Sequence, residues 1–128
     1  MINFIQISNR SIIINNKITV NMTFEKYIDY LLLNDLSTYS GRMKSIRKRY
    51  GYRKLVPIYI NDNLCLISLE NKKSLENIYL NIYEINVIEE TGCIIFNNGD
   101  SLLINKKTTT LYKYILRAKA IKKSSIII

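Results

Sequence analysis

Arg42, Lys44, Arg47, Lys48, Arg49, Arg53 and Lys54 place seven positive charges between Leu36 and Asn61, a stretch without one acidic residue. After Asp100 a second acid-free stretch carries Lys106, Lys107, Lys113, Arg117, Lys119, Lys122 and Lys123. Together they hold 14 of the 19 Lys and Arg, so the remainder of the chain is net negative although the whole carries +9. A field pointing one way attracts polyanions, phosphates above all. Lys44, Arg47, Lys48 and Arg49 read as phosphate neutralisers. Arg53, Lys54, Lys113 and Arg117 join them if the two stretches meet in space. The alternative for all of them is a well-solvated basic surface.

Other chemistry is thinly supplied. Histidine is absent, which removes the commonest general base and metal ligand together with every Ser/His/Asp and Cys/His arrangement. Cys65 and Cys93 stand 28 positions apart, each in an apolar run, and read as reduced buried thiols. No metal or cofactor is expected. Glu89, Glu90 and Asp100 are the acids from which a small Mg²⁺-dependent nuclease or RNA-cleaving toxin would be built, yet Glu89-Glu90 before Thr91-Gly92 reads more simply as a polar turn. A third class is an interaction module for an acidic protein or a membrane surface. The chain shows no strongly amphipathic basic helix with large exposed hydrophobes, which weighs against a membrane. The longest aliphatic runs are triplets, and no export signal precedes them, so the expected location is the cytoplasm.

The elements that position the charges follow from hydrophobic period. At 128 residues, with 48% apolar and 23% charged, one α+β domain over 1–128 is expected, a mainly antiparallel sheet of hairpins with about two packed helices. Ile12–Ile14 and Lys17–Val20 flank Asn15-Asn16, and asparagine tolerates the positive φ of a hairpin turn. Pro57–Ile60 and Leu64–Leu69 flank Asn61-Asp62-Asn63. Ile78–Ile88 reads as one strand, and Cys93–Phe96 with Ser101–Ile104 flank Asn97-Asn98-Gly99. Phe24, Tyr27, Ile28, Leu31 and Leu32 share one helical face behind a Thr23 cap. Leu111, Tyr114, Ile115, Ala118 and Ile121 form a second stripe, with Lys113 and Arg117 opposite it. Arg42–Tyr50 is either a short helix with Met43, Ile46 and Tyr50 inward or an extended basic loop. Tyr39, Tyr50 and Tyr52 read as half-buried aromatics at an edge, with base stacking as the alternative. The apolar ending Ile126–Ile128 has no reading.

Ser-Thr-Tyr-Ser-Gly-Arg at 37–42, the basic stretch to Lys54, Pro57-Ile58 opening a strand, Phe96-Asn97-Asn98-Gly99 and a Tyr- and Arg-bearing C-terminal helix resemble, in order and spacing over residues 10 to 122, the competence transcription factor family ComK. The resemblance implies a bacterial regulator that binds double-stranded DNA at paired AT-rich boxes, chiefly through the minor groove, as an assembly of dimers. It also implies activation of DNA-uptake genes and control by a proteolytic adaptor. The chain departs from the pattern in lacking the central tryptophan, in carrying Ile67-Ser68-Leu69 where an aromatic-Pro-Thr sequence is usual, and in ending soon after the last helix. Those departures bear on activation and turnover more than on DNA binding. Within this frame Arg42 is the leading groove residue, because the negative potential of a narrow A-tract favours an inserted arginine. Its alternative is a structural arginine paired with a carboxylate or backbone carbonyls.

Overall fold

The computed structural model describes residues 1–69, 77–104 and 108–121. Two antiparallel sheets and three α-helices make up a single-domain α+β fold. Strands β1 (Phe4–Ser8), β2 (Ser11–Ile14) and β3 (Ile18–Val20) are followed by helices α1 (Phe24–Leu31) and α2 (Tyr39–Tyr50). Strands β4 (Ile58–Asn61), β5 (Leu64–Ser68) and β6 (Ile78–Asn81) complete the larger sheet, whose order is β3-β2-β1-β6-β5-β4. The smaller sheet is β7 (Ile85–Ile88), β8 (Cys93–Phe96) and β9 (Ser101–Leu103), in that order, and α3 (Thr108–Lys119) follows it.

The turn chemistry works as its residues require. Asn15 and Asn16 hold φ of 55° and 56° between β2 and β3, and Gly99 holds 92° between β8 and β9. Thr23 caps α1, its side chain accepting from the Lys26 N–H. Phe24 then stacks on Tyr79 of β6, centroids 4.1 Å apart, which fixes α1 on the sheet. Phe4 and Phe96 stack at 5.8 Å and join the two sheets.

The α+β expectation holds, and of the two alternatives for Arg42–Tyr50 the chain takes the helix, as part of α2, which makes three α-helices among the described residues. Two expectations need correction. Ile78–Ile88 is not one strand, because Asn81 interrupts it. Its buried amide donates to the carbonyls of Ile2 and Asn63 and accepts from the N–H groups of Cys65 and Tyr83, capping a 3-10 turn over Ile82–Glu84 that sends β7 into the other sheet. Cys93 is only half-buried, whereas Cys65 is fully buried; both are free thiols. Lys106, Lys107, Lys122, Lys123 and the Ile126–Ile128 ending lie outside the described residues.

Burial of weak acids gives the fold an alkaline limit. Desolvation pushes the Cys65 thiol from 9.0 to about 12 and the Tyr79 phenol from 10.0 to about 12. Tyr59, desolvated and donating to Asp62, is raised as well. A raised folded-state value leaves stability intact below pH 9, where both states keep the proton, and removes it as pH rises toward 12, where only the unfolded chain can ionise. Each group then costs about 1.4 kcal/mol per pH unit. Urea midpoints should therefore be level from pH 7 to 9 and fall steeply above it, less steeply in Tyr79→Phe. An equally steep fall in that variant would refute the assignment to Tyr79.

Candidate nucleic-acid interface

Helix α2 carries most of the first basic stretch, and local chemistry explains why it is helical. The Thr38 hydroxyl accepts from the Gly41 N–H at 3.0 Å, and Asp29 on α1 accepts from the Tyr39 N–H at 2.6 Å, setting a carboxylate at the positive end of the helix. Met43 and Ile46 are buried against the sheet. At roughly 100° per residue, Lys44 and Lys48 then point outward, flanked by Arg47 and Arg49, and all four are exposed. Arg47, Lys48 and Arg49 fall in the last turn, where the dipole favours cations.

Gly51 ends the helix at φ 71°, its N–H donating to the Arg47 carbonyl at 2.9 Å. The reversal lays Tyr52 on Tyr50 with centroids 5.6 Å apart. Tyr52 is the junction between the two basic stretches. The Arg117 guanidinium of α3 lies over its ring at 4.2 Å, and the Tyr52 hydroxyl donates to the Arg117 carbonyl at 3.2 Å. Arg117 also lies 5.5 Å from the Tyr114 ring and donates to the Lys54 carbonyl at 3.2 Å. One arginine thus brackets the loop bearing Arg53 and Lys54, a loop in which Leu55 adopts a left-handed φ of 47°. Such backbone costs energy and persists only where its surroundings impose it.

The stretches therefore meet, as the sequence alone could only pose as a condition. Lys44, Arg47, Lys48, Arg49, Arg53, Lys54 and Lys113 are exposed, and Arg117 is half-buried. None of the eight forms an ion pair among the described residues. Tyr50 and Tyr52 are half-buried, as their edge reading expects, but their work as a brace was not legible. Tyr114, read as part of a core stripe, stacks on Arg117 instead of being fully buried.

Arg42 is the exception and corrects the leading groove assignment. Its side chain is 3% exposed, its Nη2 donates to Asp35 at 3.2 Å, and its guanidinium lies 5.9 Å from the Tyr59 ring. Nε and Nη1 are buried with no hydrogen-bond partner among the described residues. Groove insertion needs a free guanidinium, and this one ties α2 to the 3-10 turn Leu33–Asp35. The signal for it was the acid seven residues earlier, just outside the acid-free run. Glu89, Glu90 and Asp100 do not assemble into a cation site: no group of three metal-ligating side chains occurs among the described residues. No described helix is long and apolar enough to cross a membrane.

An antiparallel α+β domain whose two basic stretches meet where Arg117 packs on Tyr52 defines a small basic protein suited to polyanionic partners. Comparison with protein families takes this further: a family model described as ComK protein matches residues 3–126, and the chain belongs to the ComK family. This makes it a competence-related, DNA-binding transcription factor from a family of regulators rather than enzymes. Searches of curated proteins and of solved structures gave no match.

Proposed function

We propose that the chain regulates transcription by binding AT-rich boxes in duplex DNA, mainly through the minor groove, as a dimer or larger assembly. The observation that carries this reading is the convergence of two acid-free stretches through Arg117 and Tyr52. Those contacts bring the loop of Arg53 and Lys54 against the helix of Lys113 and Arg117, and none of the eight cations makes an ion pair among the described residues, as phosphate neutralisation requires. With Arg42 inside the fold, the groove role passes to Arg53. It is exposed and sits on the short loop between Gly51 and Val56, where the neighbouring Lys54 carbonyl accepts from Arg117. Lys44, Arg47, Lys48, Arg49, Lys54 and Lys113 contact phosphates, and Arg117 positions the loop. The genes controlled are those of DNA uptake, in keeping with the family.

Groove and phosphate roles separate by experiment. Lys48→Ala with Arg49→Ala should weaken AT-rich and mixed duplexes equally, because phosphate contacts carry no sequence information. Arg53→Lys should keep most affinity for mixed DNA and lose part of the AT preference, since an ammonium is more strongly hydrated and costs more to strip. A ligand that fills the minor groove should compete, and exchanging A for T within a box should be tolerated better than inserting G·C. Equal loss on both DNAs from Arg53→Lys would make Arg53 an ordinary phosphate contact. Mg²⁺-dependent cleavage of DNA or RNA, abolished by Glu89→Ala, Glu90→Ala or Asp100→Ala, would overturn the reading.

A further inference from the structure

The turn between β8 and β9 sets one reactive amide where the two sheets meet. Of the four glycines, Gly99 is the one that follows an asparagine, Asn98. With no side chain at position 99, nothing shields its backbone nitrogen from the Asn98 Cγ, so this pair can close a five-membered imide that bulkier successors hinder. Both residues are exposed, so water reaches them.

The folded turn holds the reacting groups apart. The Asn98 Oδ1 accepts from the Asn3 Nδ2 at 3.1 Å and from the Asp100 N–H at 3.0 Å, and its Nδ2 donates to the Asp100 carboxylate at 3.1 Å. The Gly99 N–H donates to the Phe96 carbonyl at 3.0 Å, and the Phe96 N–H to the Asp100 carbonyl at 2.8 Å. The nucleophile and the carboxamide it must attack are each tied to other partners, so the turn has to open before they meet. Asn3 belongs to the larger sheet: its carbonyl accepts from the Asn81 N–H of β6, and Phe4 beside it stacks on Phe96. The Asn3 side chain is fully buried and its Oδ1 has no partner among the described residues, so its bonding there rests on Asn98.

We infer that Asn98 is a site of spontaneous deamidation, guarded by the folded turn and coupled through Asn3 to the junction of the two sheets. In the opened turn the Gly99 nitrogen bonds to the Asn98 Cγ and gives up its proton, and the Cγ–Nδ2 bond breaks to release ammonia. Water then adds to one imide carbonyl and breaks its bond to the Gly99 nitrogen, which regains a proton. Addition at Cγ yields aspartate; addition at the Asn98 backbone carbonyl leaves the chain running through Cγ, as isoaspartate. Water is the one co-reactant, and a neutral amide becomes a carboxylate. Aspartate keeps the acceptor for Asn3 but sets two carboxylates side by side at Asp100, where Lys17 is the paired cation. Isoaspartate also lengthens the backbone inside a turn closed by the two Phe96 bonds, and the buried Asn3 amide then loses its acceptor.

Ageing the full chain tests this, folded in neutral buffer and unfolded in guanidinium chloride, with peptide mapping by mass spectrometry and isoaspartate detected by enzymatic methylation. The mass gain of an amide turned carboxylate should fall at Asn98 ahead of every other asparagine, and roughly tenfold or more slowly in the folded chain. Asp100→Ala, at a half-buried turn position, frees the Asn98 Nδ2 and should raise the folded rate several-fold while leaving the unfolded rate nearly unchanged. Hydrogen exchange of the Gly99 N–H should quicken in parallel, whereas a general loss of stability would quicken every strand. The acidic species, separated by ion exchange, should unfold at a lower temperature than the parent, the isoaspartate form lowest. A folded chain that reacts as fast as the unfolded one overturns the inference. So does a first mass gain at another asparagine, a folded rate indifferent to Asp100→Ala, or an aged species as stable as the parent.

Discussion

Arg42→Ala is expected to destabilise the fold by roughly 2–4 kcal/mol, and Arg42→Met by less than about 1. Alanine removes the tie to Asp35, the contact with Tyr59 and the volume of a long side chain between α2 and the sheet. Asp35 is 30% exposed and so never fully desolvated, which holds the loss below the upper end seen for broken buried pairs. Methionine fills the space without burying Nε and Nη1 unpaired, and each such donor costs about 1–3 kcal/mol. That relief offsets much of the lost ion pair. The pair of variants also separates structure from recognition. Arg42→Met should retain AT preference and the full salt dependence of DNA binding, since a guanidinium held inside the fold contributes to neither. Loss of AT preference in a folded Arg42→Met protein would return Arg42 to the interface, through a conformation in which it leaves Asp35.

What could be read in advance was whatever depends on near neighbours. The Asn15-Asn16 and Asn97–Gly99 turns and the Thr23 cap are decided within four residues by φ preference and side-chain reach. β1 was not legible, because Phe4 and Ile5 are both buried in a strand lying between β2 and β6, so no alternation marks it. Asn81 looked like one polar residue in a strand, and only the carbonyls of Ile2 and Asn63 make it a hub. In α2 a charged residue occupies one of the three buried positions, which masks its apolar face. The cationic side chains were legible as a set from their separation from acids. Their assembly was not, because it rests on Arg117 and Tyr52, 65 positions apart.

That assembly predicts the largest effect on binding. If about five to seven phosphates are neutralised, the slope of log K on log[salt] is roughly −4.5 to −6, so raising salt from ~50 to ~200 mM should lower affinity roughly 500- to 4,000-fold. A slope near zero would remove phosphate contact from the proposed function altogether. Within that total the eight cations should not be equivalent. Lys113→Ala removes one exposed charge and should lower the slope by about 0.9. Arg117→Ala removes one charge as well, but it also uncovers Tyr52 and frees the Lys54 carbonyl, so Arg53 and Lys54 lose their fixed placement and the slope should fall by about 2–3. Arg117→Lys should recover little beyond the single charge, since an ammonium cannot lie flat on the Tyr52 ring while reaching Lys54. Tyr52→Ala isolates the brace, because it removes no charge and should still reduce the slope by about 1–2 through the same loop. If Tyr52→Ala leaves the slope unchanged and Arg117→Ala matches Lys113→Ala, the two basic stretches act as independent surfaces, and the stack on Tyr52 contributes to folding alone.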